Sequence, residues 1–209
     1  WYFPLSRNQR WSFLARLKMG YGNGYGDVDG IDQILPFTQH FTAGGSDSLR
    51  GFENNTVGPR GVQVTPSTVI TDPNGKVILG DNSYDTISIS TRSLGGNAMI
   101  LGGVELIVPT PFVEVDFDNS VRTSLFVDVG SIWDTEFDYD RYKTLNVNNS
   151  FNDDQLIDYS DPTLYRASGG LSVQWLSPMG PMVFSFSKVI QDREGDDSKF
   201  FTFNIGQTF

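Results

Sequence analysis

The chain has 209 residues, enough for one domain or for part of a larger one, and it is rich in Gly, Ser, Thr, Asn, Asp and aromatics while helix formers are thin. That balance favours an all-β protein with many turns. A formal net charge of -10 excludes a partner bound by phosphate neutralisation, so no nucleic acid is expected. Cysteine is absent, which excludes disulfides and thiolate metal sites, and no apolar run is long enough for a spanning helix, so any membrane crossing must be made by strands.

Trp1 to Leu5 has the look of the end of a strand whose start is missing. With neither an initiator Met nor a signal peptide, the chain is expected to be a piece of a longer exported polypeptide. A strand is expected over about 11–22, where Trp11, Phe13, Ala15, Leu17, Met19 and Tyr21 alternate with Ser12, Leu14, Arg16, Lys18, Gly20 and Gly22. One face is apolar and the other mostly polar or small. A very long connection follows, about 23–97, and within it a short hairpin is expected around Val69 to Leu79 on the Asn74-Gly75 turn. So long a connection in a compact domain points to a functional loop.

Further strands are expected over about 98–109, 120–133, 164–176, 181–190 and 198–209. In the first of these, Ile100, Val104, Leu106 and Val108 oppose Leu101, Gly103, Glu105 and Ile107. In the next, Leu125, Val127 and Val129 oppose Arg122, Ser124, Phe126, Asp128 and Gly130. Then Tyr165, Ala167, Gly169, Leu171, Val173 and Trp175 face away from Arg166, Ser168, Gly170, Ser172 and Gln174. Phe184 and Phe186 alternate with Ser185 and Ser187, and Phe201, Phe203, Ile205 and Phe209 alternate with Thr202, Asn204, Gly206 and Thr208. Connections are short and Pro-bearing, then long and acidic; the carboxylates of Asp134 to Asp161 and Asp192 to Asp197 suit an exposed, solvated rim.

Strands of about ten residues, apolar on one face, joined by turns that are short on one side and long on the other, describe a transmembrane β-barrel. A soluble sandwich also alternates, but its inner face calls for more Leu, Ile and Val than the Ser, Gly, Gln and Arg found here. Six strands do not close a membrane barrel, for which about eight is the lower limit, so more are expected upstream.

Within the long loop, Gly44-Gly45-Ser46-Asp47-Ser48-Leu49-Arg50-Gly51-Phe52 sets one cation among glycines and aromatics. An Arg-Gly turn needs a residue without Cβ beside the charge, and the Gly44-Gly45 pair lets the backbone approach another surface. Such a stretch also fits an ordinary surface loop. The inward reading gains from Glu105 and Asp128, which face the lumen from adjacent strands and offer carboxylates that a guanidinium bridges bidentately; alternatively both are merely wetted lumen residues.

Other motifs carry less. His40 has no Ser or Cys partner at a recognisable spacing, so no enzyme is expected. Asp27-Val28-Asp29-Gly30 with Asp32 lacks the later bidentate Glu of a Ca²⁺ loop, and Gly20-Tyr21-Gly22-Asn23-Gly24 precedes no helix that would make it a phosphate cradle. Phe200, Phe201, Phe203 and Phe209 suit a lipid-facing belt better than a base-stacking platform. No cofactor or metal is called for.

Gly44 to Pro59 resembles the Arg-Gly-Phe/Tyr loop of the outer-membrane β-barrel assembly family. Gly95-Gly96-Asn97-Ala98-Met99, Pro109-Thr110-Pro111-Phe112, Asn119 to Ser124, Trp175 to Pro181 and Phe203 to Phe209 are similar to that family in the same order. The resemblance implies the C-terminal part of a sixteen-stranded barrel in the bacterial outer membrane, with the Leu49-Arg50-Gly51-Phe52 loop folded into the lumen and Arg50 on Glu105 and Asp128. It implies a weak seam between first and last strands where client strands are templated, Gly206 at a kink of the last strand, and Phe209 as a terminal signal. Outer-membrane lipids, unfolded outer-membrane protein clients and accessory assembly lipoproteins reached through upstream domains are the implied partners. The loop lacks the cysteines that some relatives carry there. The pore of a related protein-secretion transporter, or a passive porin, is the alternative.

Overall fold

The computed structural model describes residues 1–7, 11–28, 31–66, 69–71, 73–74, 77–79, 84–110, 120–140, 143 and 157–206. Phe209, Gly75 of the Asn74-Gly75 turn, Asp29 and Gly30, Pro111 and Phe112, Asn119 and the middle of the acidic Asp134 to Asp161 segment lie outside the described residues. In chain order the strands are β1 (Tyr2–Pro4), β2 (Ser12–Tyr21), β3 (Asp27–Val28), β4 (Ile31–Asp32), β5 (Arg60–Pro66), β6 (Val69–Thr71), β7 (Val77–Leu79), β8 (Tyr84–Ser93), β9 (Ala98–Val108), β10 (Val121–Trp133), β11 (Arg166–Ser177), β12 (Gly180–Gln191) and β13 (Phe201–Ile205).

Seven of these form one antiparallel sheet in the order β1-β2-β9-β10-β11-β12-β13. β2 pairs directly with β9, Arg16 opposite Gly103, so everything between them leaves the wall and returns to the neighbouring stave. That excursion is not structureless. β5 and β8 pair as a ribbon from Arg60↔Ser93 to Pro66↔Tyr84 inside the connection expected over 23–97, and β6 pairs with β7 between Val69↔Leu79 and Thr71↔Val77. Each arm alternates, Val62 and Val64 on one and Ile87 and Ile89 on the other, but which stretch pairs with which is settled only by the fold.

Alternation sorts the faces as a pleated wall requires. Along β10, Leu125, Val127 and Val129 are 49, 43 and 42 % exposed while Ser124, Phe126 and Asp128 between them are buried. The outward band continues with Leu17, Met19, Ile100, Val104, Trp175, Phe186, Phe201 and Phe203. At one end β11 turns into β12 through Ser177, whose hydroxyl donates 2.7 Å to the Gly180 carbonyl, a tight reversal that keeps this rim short. Near the other end the β11–β12 pairing skips Ile190, moving from Ser168↔Val189 to Ala167↔Gln191. Ala167, expected outside, is buried there.

The inward face departs from the expectation of small and polar residues in its upper part. Met99, Leu101 and Ile132 of the wall meet Ala43, Leu49, Phe52 and Val57 of the loop in one apolar cluster, with Phe41 and Val189 packed against it. Leu49, Phe52 and Val57 are fully buried, and burying a side chain of the Leu or Phe class stabilises by about 1.5–3 kcal/mol. The lumen is therefore dry where the loop fills it.

The last strand is shorter than the sequence suggests. β13 pairs with β12 from Phe201↔Phe186 to Ile205↔Met182; Phe200 still accepts from Ser187 of β12, but Ser198 and Lys199 bond to Phe52 and Gly51 of the loop instead. Phe52→Ala is expected to weaken docking of the loop by about 3–5 kcal/mol. Limited proteolysis of the loop in folded protein would register this as faster cleavage, and parent-like protection would contradict it.

Candidate functional site

The tip of the loop is a backbone ladder built on itself. Phe41 and Gly96 exchange hydrogen bonds of 2.8 and 3.0 Å, Ala43 and Val57 exchange bonds of 3.2 and 3.0 Å, and Gly45 N–H donates 2.9 Å to Phe52. Ser48 Oγ closes the turn, accepting from Gly44 N–H at 3.0 Å. The Gly44-Gly45 pair, expected to approach another surface, instead faces the loop's own return arm: a Cβ on Gly44 would lie 1.9 Å from the Glu53 carbonyl oxygen, at a φ of +116°. Gly51 is the glycine that meets the wall. With φ +90°, its Cβ would sit 3.0 Å from Ser168 Cβ and 3.2 Å from Ser187 Cβ, so L side chains are refused both by backbone strain and by space.

That approach carries Arg50, 0 % exposed, against the wall. Its Nε lies 2.7 Å from Asp128 Oδ2 and its Nη2 2.9 Å from Oδ1, the two-pronged geometry that suits a guanidinium and a carboxylate. Nη1 stands 2.6 Å from Glu105 Oε1. The guanidinium plane also covers Phe126, its Cζ 3.6 Å from the ring centroid, where a desolvated cation gains from the ring quadrupole. The backbone is fixed as well: Arg50 N–H points at Asp128 Oδ2 at 3.3 Å, and Ser168 Oγ donates to the Arg50 carbonyl. Glu105 keeps a second partner, Ser124 Oγ, at 3.1 Å.

Asp128 has a further cation. Arg16 reaches across from β2, Nη2 to Oδ1 at 2.8 Å. The register explains the reach, since Arg16 lies opposite Gly103 and Gly103 opposite Asp128. Only a residue without a side chain leaves the path open: a Cβ on Gly103 would lie 2.5 Å from Asp128 Oδ1 and 2.6 Å from Arg16 Nε.

A second ionic cluster closes the outer rim. Asp196, in the β12–β13 connection, has a side chain with 0 % exposure. It accepts from Arg166 Nε at 2.9 Å and Nη2 at 3.3 Å, and from Arg193 N–H at 2.9 Å. Arg60, at the start of β5, stands 3.8 Å from the same carboxylate and donates to the carbonyls of Thr56 at 3.2 Å, Ser90 at 3.3 Å and Gly195. At least this carboxylate of the acidic rim is therefore buried and paired, against the expectation of a solvated edge. Tyr159 packs beside the cluster, edge-on to Phe137 at 5.4 Å, and burial pushes its hydroxyl up to about 12. His40 braces the loop, its ring nitrogens 3.3 and 3.2 Å from the carbonyls of Gly95 and Leu35. Among the described residues no three or more His, Asp or Glu side chains are grouped to hold a metal.

The Omp85 superfamily domain model matches residues 1–209. The chain belongs to the Omp85 superfamily. It is 31 % identical over 212 residues to the outer membrane protein assembly factor BamA of Neisseria meningitidis serogroup B, covering all of this chain and 23 % of that protein. It also matches the crystal structure of BamA from Haemophilus ducreyi lacking POTRA domains 1–3, with a TM-score of 0.72 and 32 % identity over 97 % of this chain and 32 % of that one. The chain thus spans about a quarter to a third of the relatives it matches, and its open antiparallel sheet is a portion of a bacterial outer-membrane β-barrel.

In this Omp85 chain Arg50 meets Glu105 and Asp128, Leu49 and Phe52 pack in the apolar cluster and Gly51 meets Ser168 and Ser187, while Gly206 lies apart, directly after β13, with φ +82° and its N–H 2.8 Å from the Pro181 carbonyl. Sequence reasoning placed Arg16 and Ser168 on the inner face yet joined neither to Arg50. The signal for Arg16 was available in principle, a cation and a glycine on one face of consecutive strands, but it needs the β2–β9–β10 register to be read. Nothing in the sequence marks Asp196, because a lone carboxylate in an acidic loop looks like every other.

Removing one member of a buried ion pair costs about 3–5 kcal/mol. Arg50→Ala is expected to release the tip from the wall at less than that cost, since Asp128 keeps Arg16 at 2.8 Å, seen as faster protease cleavage within 44–58 while the barrel stays folded; unchanged protection would refute the docking. For Tyr159 the folded value lies above the ordinary value of about 10, so its stabilising contribution is full below pH 10 and is lost as pH rises through about 12. Phenolate absorbance compared between parent and Tyr159→Phe should place the missing titration near the upper of these values; a difference spectrum appearing near pH 10 would count against burial.

Proposed function

We propose that the chain is the C-terminal part of a sixteen-stranded barrel that inserts and folds client outer-membrane proteins by strand templating at a lateral seam. The observation that carries this reading is the lumenal loop, clamped through Arg50 on Asp128 and Glu105 in a chain whose relatives are named as assembly factors. Leu49, Arg50, Gly51 and Phe52 anchor the loop, and Glu105 and Asp128 are the wall groups that receive it.

The last strand supports a seam. β13 is followed by Gly206 at a positive φ, where a residue without Cβ weakens pairing and permits the backbone to bend. An exposed strand edge accepts an incoming strand through main-chain hydrogen bonds, with little demand on side-chain sequence. Unpaired groups are costly in hydrocarbon, which drives exchange at such an edge without an energy-coupled cofactor. Phe209, outside the described residues, serves as the terminal signal in this reading. Partners are outer-membrane lipids, unfolded outer-membrane proteins and, through domains beyond this sequence, accessory assembly lipoproteins. Neither enzymatic chemistry nor nucleic acid enters.

The reading is tested by reconstituting the full-length protein in lipid vesicles with an unfolded barrel client and in planar bilayers. Protease-protected, heat-modifiable client together with low steady conductance is expected. Free conductance without client insertion would favour a passive porin, and export of a client across the bilayer without its insertion would favour a secretion pore.

A further inference from the structure

We infer that Arg16 is a standby counter-ion for Asp128, whose presence makes the departure of Arg50 from the wall easier and reversible. The inference rests on the loop docking proposed above, but not on what the barrel does with its clients.

Three features carry it. First, the two guanidinia share one acceptor: Arg16 Nη2 and Arg50 Nη2 stand 2.8 and 2.9 Å from Asp128 Oδ1. Two like charges on one oxygen repel each other, so each holds the carboxylate less firmly than it would alone. Second, the cations are mounted differently. Arg50 rides on a loop and is wholly buried, whereas Arg16 belongs to β2, paired to β9 along its whole length from Ser12↔Ile107 to Tyr21↔Ala98, and its side chain is 26 % exposed. If the loop moves, Arg16 stays. Third, Gly103 keeps the corridor between Arg16 and Asp128 clear, since a Cβ there would meet both groups at 2.5–2.6 Å.

A carboxylate buried to 0 % exposure and stripped of its cation is heavily penalised. In the docked state Arg16 and Arg50 balance Asp128 and Glu105, two charges against two. When Arg50 leaves, Asp128 retains Arg16 and Glu105 retains the Ser124 hydroxyl at 3.1 Å. Asp128 keeps a cation and Glu105 a hydrogen bond. Arg16 thus lowers the cost of the undocked state and, by repulsion, weakens the docked one. It is a positioning residue, acting on the loop only through Asp128.

The sign of the effect sets this apart from a structural brace. Ser46, 7 % exposed at the loop tip, is replaced by Cys in a full-length protein otherwise free of cysteine, and its labelling by a membrane-impermeant maleimide is followed in folded barrels verified by heat-modifiable mobility. Arg50→Ala is expected to speed labelling. Arg16→Gln is expected to slow it about tenfold, the factor that corresponds to roughly 1.4 kcal/mol, because the sole remaining cation is then bound more tightly. Arg16→Lys keeps a charge but gives up the fork and should fall between parent and Arg16→Gln; it carries the test alone if Arg16→Gln does not yield folded barrel. Labelling at the parent rate or faster in either Arg16 variant would overturn the inference. Client insertion is read in a separate assay, so failure of the assembly reading would leave the labelling result intact.

Discussion

The structure depends on one carboxylate. Asp128 is fully buried, and a charge so placed persists only if it is paired and hydrogen-bonded. It is met by Arg50 from the loop and Arg16 from the wall, with Glu105 one strand over taking the third nitrogen of Arg50. This demand turns a loop of dozens of residues into a fixed plug. A wall without Arg50 would set Arg16 against both inward carboxylates, and a loop with Arg50 but no Asp128 would have to desolvate a cation against Glu105 alone.

Ionic pairing and apolar burial divide the work. Leu49, Phe52 and Val57 are fully buried, and at about 1.5–3 kcal/mol for each side chain of this class they supply most of the net attraction. The desolvation of a buried ion pair largely offsets its Coulombic gain, so the charges contribute register more than strength. Apolar contact tolerates small displacements; a guanidinium seated on a carboxylate and a phenyl ring does not. Surface pairs add little by comparison: Lys199 and Glu53, 3.0 Å apart and each about two-fifths exposed, lie in the range worth less than about 1 kcal/mol.

The loop is joined to the last hairpin as well as to the wall. Glu53 N–H donates 2.9 Å to Asp197, and Lys199 N–H donates 2.9 Å to Gly51. A few residues away Asp196 binds Arg166 of β11 and lies near Arg60 of β5. Ser198 and Lys199, which would otherwise extend β13 along β12, bond to the loop, which is the physical reason that strand begins late. Loop and final strand are therefore mechanically connected at the outer rim, through backbone bonds that do not depend on particular side chains.

How much of this could be read from the chain differs by feature. The faces of the long strands, Ala167 beside its register shift apart, and with them the placement of Glu105 and Asp128 opposite Leu125, Val127 and Val129, follow from a two-residue period that is local and robust. The Arg50 motif, which alone fits an ordinary surface loop, could be singled out because Glu105 and Asp128 offer it inward-facing carboxylates on the strands that follow. Other features needed pairing across distance. Arg16 became a partner of Asp128 only through the alignment of three strands around Gly103, the β5–β8 ribbon needed its two arms brought together, and Asp196 was one acid among many until Arg166 and Arg60 closed on it. Sequence by itself determined which way each stave faces and which cation is set apart, because those are properties of neighbours in the chain; tertiary structure decided which charges share an oxygen, because that depends on residues brought within 3 Å from 78 and 112 positions away.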